Sequence, residues 1–198
     1  LFYPILLDLI NPFLSISVFP SVFKSSFIIP TIKNASLDPS SLSSCRPVSN
    51  LSFISKIMER VVYEQISAYL TAFSLLPSSQ SGFRPGHSTE TALLKLHNDL
   101  IVSSDSGLST LLLCLDFSSA FDTVDHSLLL DVLDKFFNIT SDALRWIKSY
   151  LSGRYSYVSI ESSKSTPVSL SYGVPQGSIL RPLLFILYTS ELPHIISS

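Results

Sequence analysis

Asp116 is the residue in this chain whose type and setting could most directly do chemistry. It closes the apolar run Leu111–Leu115 (LLLCL), and the step Phe117-Ser118-Ser119-Ala120-Phe121-Asp122 follows. A carboxylate at the end of a buried strand lies at the rim of a sheet. There it can offer hard oxygen ligands to Mg²⁺ from a rigid support, as phosphoryl transfer requires. The same pattern also suits an aspartate that only caps a turn or helix, and taken by itself it favours that plainer role. Asp122 and Asp125 flank the next helix start, where acidic residues suit the helix dipole. They read as structural.

A second string, Gly173-Val174-Pro175-Gln176-Gly177-Ser178, combines a tight turn with the start of an apolar segment. Glycine lets a backbone approach a ligand closely, and a helix N-terminus favours phosphates and polar edges. No other constellation stands out. The four histidines (His87, His97, His126 and His194) have no paired metal-ligand spacing. No GxSxG or Walker loop occurs. Cys45 and Cys114 have no CxxC spacing, and Cys114 inside the apolar run reads as a small core residue.

Several elements must position these groups. Leu1 to Phe19 reads as a buried or amphipathic helix. Fifteen uncharged residues lie between Asp8 and Lys24, but Pro12 and Pro20 interrupt them, and a membrane span needs about 20 predominantly apolar residues. Phe27–Ile29 is a short strand candidate. Leu37 to Pro47, rich in Ser and Pro, reads as a loop. Helical spacing of Ile54, Ile57, Met58, Val61, Val62, Ile66, Tyr69 and Leu70 predicts a long helix capped by Asn50 or Ser52. Another helix is capped by Ser88 or Thr89 and carries Leu93, Leu96 and Leu100. Leu111–Leu115 is predicted as a strand buried on both faces. Helices follow over about 127–137 and from Ser141 or Asp142 to a Gly153 cap. Alternation at Tyr155, Tyr157 and Ser159, and again at Val168, Leu170 and Tyr172, predicts a hairpin turning near 162–166. A last helix begins near Ser178. The class is α+β.

The chain has 198 residues, 46% of them hydrophobic and only 14% charged, so it can bury a core and is not globally disordered. Its net charge of −2 lacks the basic surplus of many nucleic-acid binders. From Lys24 to Arg84, however, six basic residues face three acidic ones, a mild local bias.

Together, LLLCLDFSSAFDTVDH and GVPQGSIL resemble the palm of reverse transcriptases encoded by non-LTR (LINE-like) retrotransposons. The family pattern is roughly LD-x-SxAFDxVDH. The resemblance extends from about Leu9 to Ile196. It implies right-hand polymerase-like fingers over about 1–108 and a partial palm over about 109–198. It also implies that Asp116 and the Phe117 carbonyl are metal ligands, with Asp116 catalytic. Phe121 would lie under the incoming sugar and exclude a 2′-hydroxyl. Gln176 and Gly177 would border the nucleotide. IIPTIKNASLDPSSLSSCRPVSN resembles the segment whose Lys33 and Arg46 would touch the triphosphate. QSGFRPGHSTETALLKL resembles the motif in which Phe83 and Arg84 approach the template. RNA template, DNA primer, dNTP and Mg²⁺ are the implied partners and cofactor of the intact family, and the nucleus is the implied location.

Three departures carry weight. Asn34 stands where relatives often carry a second lysine. Arg181 stands where the family has glycine, which predicts disturbed packing at the last helix. The adjacent aspartate pair that completes the family's site, usually on an Ala-Asp-Asp hairpin, does not occur in this sequence, and a chain beginning at Leu1 reads as a fragment. The leading expectation is therefore a fingers and partial-palm piece of an RNA-directed DNA polymerase, truncated before that hairpin and the thumb, without catalysis on its own. Such a truncated piece would leave an apolar sheet edge uncovered and be poorly soluble. The alternatives are a non-catalytic nucleic-acid-binding or inert retrotransposon remnant, and a small membrane-associated protein anchored near Leu1–Phe19.

Overall fold

The computed structural model describes residues 3–38, 40–117, 119–160 and 163–192. Helix α1 (Tyr3–Ser15) is amphipathic. Ile10 is buried, Phe13 and Leu14 pack against the core, and Ile5, Leu7 and Leu9 face outward. Among the described residues no helix is long and apolar enough to cross a membrane.

Strand β1 (Ser25–Ile32) pairs antiparallel with β2 (Cys45–Asn50) and parallel with β3 (Arg154–Ile160). The expected loop over Leu37–Pro47 therefore ends early, because Cys45 already pairs with Ile32. Pairing with β1 overrides the turn-like composition of that stretch. β3 pairs antiparallel with the short β4 (Ser163–Lys164) at its end and with β5 (Val168–Leu170) at its start, which gives the expected hairpin. Ser162, in its expected turn, lies outside the described residues.

Helix α2 (Phe53–Ala72) follows its apolar spacing and buries Met58, Val62, Ile66 and Leu70. Ser52 occupies its N-cap position without a side-chain cap bond. Helix α3 (Thr89–Asp105) starts on a reciprocal capping box between Ser88 and Thr91, yet it buries no residue. Its local signals are sufficient to form the helix but do not seat it on the core. Helices α4 (His126–Lys135), α5 (Ser141–Leu151) and α6 (Arg181–Tyr188) form the packed centre. Leu129, Leu133, Ile147, Leu151, Leu184 and Leu187 are fully enclosed there with Met58 and Leu70. An aromatic stack crosses it: Trp146 and Tyr150 lie 5.6 Å apart and 3° from parallel, and Phe19 meets both edge-on.

Residues 111–117 correct the expectation of a doubly buried strand. They form no strand, and Leu111 is 93% and Leu113 74% exposed. Cys114 is likewise exposed rather than a core residue. A strand exists only with a ladder partner, and none of the described strands pairs here.

The last helix begins at Arg181, three residues later than expected, with Pro182 in its first turn. It is intact. The Arg181 guanidinium is taken up by a carboxylate and an aromatic ring, so the expected disturbance of packing does not occur.

Candidate functional site

Two segments far apart in sequence are clasped together beside the sheet. Gly173 N–H donates to the Val124 carbonyl (2.8 Å), Val174 N–H to the Phe121 carbonyl (3.1 Å), and Asp125 forms an isolated bridge with Tyr172. The His126 Nε2 adds a 2.8 Å bond to the Gly173 carbonyl. Gly173 is required for this approach. Its φ is +78°, and a Cβ there would lie 2.7 Å from the Asp122 carbonyl oxygen. At the other end of the turn, Ser49 N–H on β2 donates to the Gln176 carbonyl (3.1 Å). Gly177 has φ +100°, and a Cβ there would meet the Ser49 carbonyl at 2.9 Å. The two glycines thus let one turn press against the Asp122 loop and against the sheet. Between these parts lies a cleft of about 170 Å³, bounded by Ile28, Ser49, Asp122, Tyr172, Gly173 and Gln176, among others.

Phe121 sits at the edge of this junction. Its ring centroid is 4.7 Å from Phe185 on α6 and 6.1 Å from Phe83, which it meets edge-on. Arg181 lies over the ring with Cζ 4.6 Å from the centroid, and donates to Asp122 at 2.9 Å. Burial lowers the Arg181 pKa from the usual arginine value, and the Asp122 charge opposes that shift. The ion pair ties the loop to the start of α6. Asp125 caps α4 by accepting from Ser127 N and Leu128 N, the structural role expected of it.

Of the residues singled out by sequence, Phe121, Phe83, Gln176 and Gly177 converge on this junction. The others lie differently. Asp116 and Phe117 are exposed within the unpaired run, and Asp116 has no hydrogen bond or ion pair among the described residues. Lys33 Nζ donates to the Ser43 carbonyl (2.7 Å). Arg46 is paired in register with Thr31, on the sheet face opposite Ser49 and the cleft. Arg84 donates to the Pro77 carbonyl at 2.9 Å, bracing its own loop.

The donor set does not fit a two-ion magnesium centre. Asp116 is a lone carboxylate, Asp122 is committed to Arg181, and Asp125 to a helix cap. Among the described residues no three His, Cys, Asp or Glu side chains cluster as a metal site.

Sequence reasoning missed the buried support behind the turn. Glu59 on α2 is fully buried and accepts from Ser55 Oγ (2.9 Å), Ser178 Oγ (2.8 Å) and Ile179 N–H (2.8 Å). Ser178 Oγ also meets the Tyr150 hydroxyl at 2.7 Å and accepts from Leu180 N–H at 3.1 Å. Arg154, 1% exposed, donates from Nε to the Tyr150 carbonyl, and its guanidinium carbon lies 4.4 Å from the Tyr150 ring centroid. The signal was present: residue 59 falls on the buried stripe of Ser55, Met58, Val62 and Ile66. An acid in that phase must find partners inside.

The fold is mixed α+β, with the turn Gly173-Val174-Pro175-Gln176-Gly177 clasped to the loop that carries Phe121 and Asp122. Residues 32–198 match the family model described as reverse transcriptase (RNA-dependent DNA polymerase). Curated relatives include a probable RNA-directed DNA polymerase from transposon BS of Drosophila melanogaster, 34% identical over 92% of this chain and 20% of the relative. The probable RNA-directed DNA polymerase from transposon X-element of the same organism is 34% identical over 93% of the chain, and that from mobile element jockey 32% over 92%, each again over 20% of the relative. The chain belongs to the reverse transcriptase family, among the non-LTR retrotransposon enzymes, and spans about a fifth of the length of these relatives.

Proposed function

We propose that this chain is the fingers and partial palm of an RNA-directed DNA polymerase, with residues 1–108 fingers-like and 109–198 palm-like. It would take part in template-directed addition of deoxynucleotides to a DNA 3′ end. In this reading Phe121, Gln176 and Gly177 border the incoming nucleotide, Phe83 and Arg84 approach the template, and Lys33 and Arg46 meet the phosphates provided that the triphosphate passes around the end of the β1–β2 hairpin to the face opposite the cleft. Asp116 and the Phe117 carbonyl supply one side of a metal site that needs further carboxylates from an Ala-Asp-Asp hairpin.

The observation that carries the reading is the meeting of three separate sequence motifs at one junction beside the cleft: Phe83 edge-on to Phe121, and the Phe121 loop bonded to the turn that holds Gln176. A lone carboxylate cannot clamp two metal ions about 3.5–4 Å apart, so the 198-residue polypeptide is expected to bind a deoxynucleoside triphosphate without extending a primer.

Equilibrium binding of a fluorescent deoxynucleoside triphosphate tests this. Phe121→Ala and Gln176→Ala are expected to weaken binding about tenfold or more. Absence of binding at millimolar nucleotide, or binding by both variants as tight as that of the parent, overturns the reading. Primer extension that is abolished by Asp116→Ala overturns the expectation of an incomplete centre.

A further inference from the structure

The cleft beside the clasp sets an electrostatic problem for a triphosphate. Among the described residues that line it, Asp122 alone is charged, and its charge is negative. The Asp122 side chain is about half exposed. Like charges brought together in a cleft repel each other over about a Debye length, ~10 Å at 0.1 M salt. A bare carboxylate on this wall would work against any polyanionic ligand. The cation Arg46 does not offset it from within the cleft, because Arg46 lies on the opposite face of the sheet.

Arg181 answers that charge. Its Nη2 donates to Asp122 Oδ1 at 2.9 Å, and its guanidinium carbon lies 4.6 Å from the Phe121 ring centroid. One cation thus neutralises the acid and rests on the ring of the same loop. The fold itself gains little from this arrangement. Arg181 Nη1 is buried and has no acceptor among the described residues, and a buried donor left unpaired costs stability. An apolar side chain of similar length would avoid that cost, and replacing a buried ion pair by apolar groups is often neutral or stabilising. What an apolar residue could not do is cancel the Asp122 charge.

We infer that Arg181 is a positioning residue for nucleotide binding: by pairing with Asp122 it neutralises the one charged group on the cleft wall and so admits a triphosphate. The inference rests on the reading that this cleft takes a deoxynucleoside triphosphate. It adds a residue that acts on that ligand through Asp122.

Arg181→Met keeps the length of the side chain and removes its charge. The parent and this variant are compared in metal-free buffer for equilibrium binding of thymidine triphosphate and of uncharged thymidine. The variant is expected to bind the triphosphate about tenfold more weakly, with thymidine affinity unchanged and no drop in the thermal midpoint. The deficit should shrink as salt is raised. Adding Asp122→Asn to Arg181→Met removes the bare acid and should restore triphosphate binding. If Arg181→Met fails to fold, Asp122→Asn alone, at a half-exposed position, carries the test: it should bind the triphosphate at least as tightly as the parent. Unchanged triphosphate affinity in Arg181→Met, an equal loss for thymidine, no recovery in the double variant, or weaker binding by Asp122→Asn alone overturns the inference. A parent that binds the triphosphate while the variants give any of these results keeps the polymerase reading and loses only the role of Arg181. A parent that binds no triphosphate overturns both.

Discussion

The buried Glu59 carboxylate accepts a 2.8 Å hydrogen bond from Ser178, a residue 119 positions later in the chain. It thereby joins helix α2 to the turn that carries Gln176 and Gly177. The same oxygen accepts the Ile179 N–H, so a single side chain satisfies the hydroxyl and an amide just before α6. No cation pairs with this carboxylate among the described residues, and its solvation has been replaced by three donors.

Removing that acceptor should be costly. Glu59→Ala removes the acceptor of the Ser55 hydroxyl and the Ile179 amide and leaves the Ser178 hydroxyl only Tyr150 as an acceptor, and is expected to destabilise the chain by about 2–4 kcal/mol. Glu59→Gln keeps an acceptor toward Ser178 and Ile179 and should cost about half as much. Urea denaturation of the three proteins provides the comparison. An alanine variant within about 0.5 kcal/mol of the parent, the range of an ordinary surface change, would refute the role assigned here.

The two glycines of the clasp should be far less replaceable than other glycines with positive φ. Gly173→Ala places a methyl 2.7 Å from the Asp122 backbone, and Gly177→Ala places one 2.9 Å from the Ser49 carbonyl. Each adds a clash to the left-handed strain and should cost about 3 kcal/mol or more. Gly86→Ala, at φ +75° with nothing within 4 Å, carries the strain alone and should cost about 1–2 kcal/mol. Equal thermal midpoints for the Gly173 and Gly86 variants would show that close approach is not what matters.

Alkaline stability should depend on Tyr150. Burial first, then the neighbouring Glu59 charge, raises the phenol well above its ordinary value, with Arg154 and Ser178 opposing. A raised folded pKa means that the contribution is complete below the unfolded tyrosine value of about 10 and is lost as pH climbs beyond it. Lys24, lowered by burial and by Arg154, slopes the opposite way in the same range, so the decisive quantity is a difference between proteins. Between about pH 8 and pH 10.5 the parent should lose more stability than Tyr150→Phe, whose own neutral-pH cost is about 1 kcal/mol for the missing hydroxyl. Parallel pH curves would count against the coupling.

The run at 111–117 should govern association. Leu111, Leu112, Leu113 and Leu115 are all exposed, and an apolar β-forming segment without a ladder partner templates pairing with other chains. Leu113→Lys is expected to raise the monodisperse fraction in size-exclusion chromatography without lowering the thermal midpoint. A drop in that midpoint would mean that the leucine is packed inside the fold.

Much of the architecture was legible in the residues. Helix α2 follows the spacing of Met58, Val62, Ile66 and Leu70, and α4 follows the Asp125 cap. The β3–β5 hairpin follows period-two alternation. Each of these signals is local, carried by neighbours within a few residues. The signals that misled were also local. LLLCL has every intrinsic property of a buried strand but finds no ladder partner among the described residues, and Leu37–Pro47 has loop composition although its end is recruited into β2. Arg181 looked disruptive because its neighbours in sequence offer nothing to a guanidinium. Its partners, Asp122 and Phe121, arrive from about 60 positions away.

By itself, the sequence determined the order and type of most elements, the family, and the chemistry available at Asp116, Phe121 and Gln176, because periodicity, capping and motif spacing are written in adjacent residues. Only the tertiary structure decided that Glu59 braces the turn, that Arg181 clamps the Phe121 loop, and that Arg46 and Gln176 lie on opposite sides of one sheet. Those outcomes depend on which distant groups meet once the core closes, and on the need of every buried charge and amide for a partner. That requirement is settled across the whole fold and not along the chain.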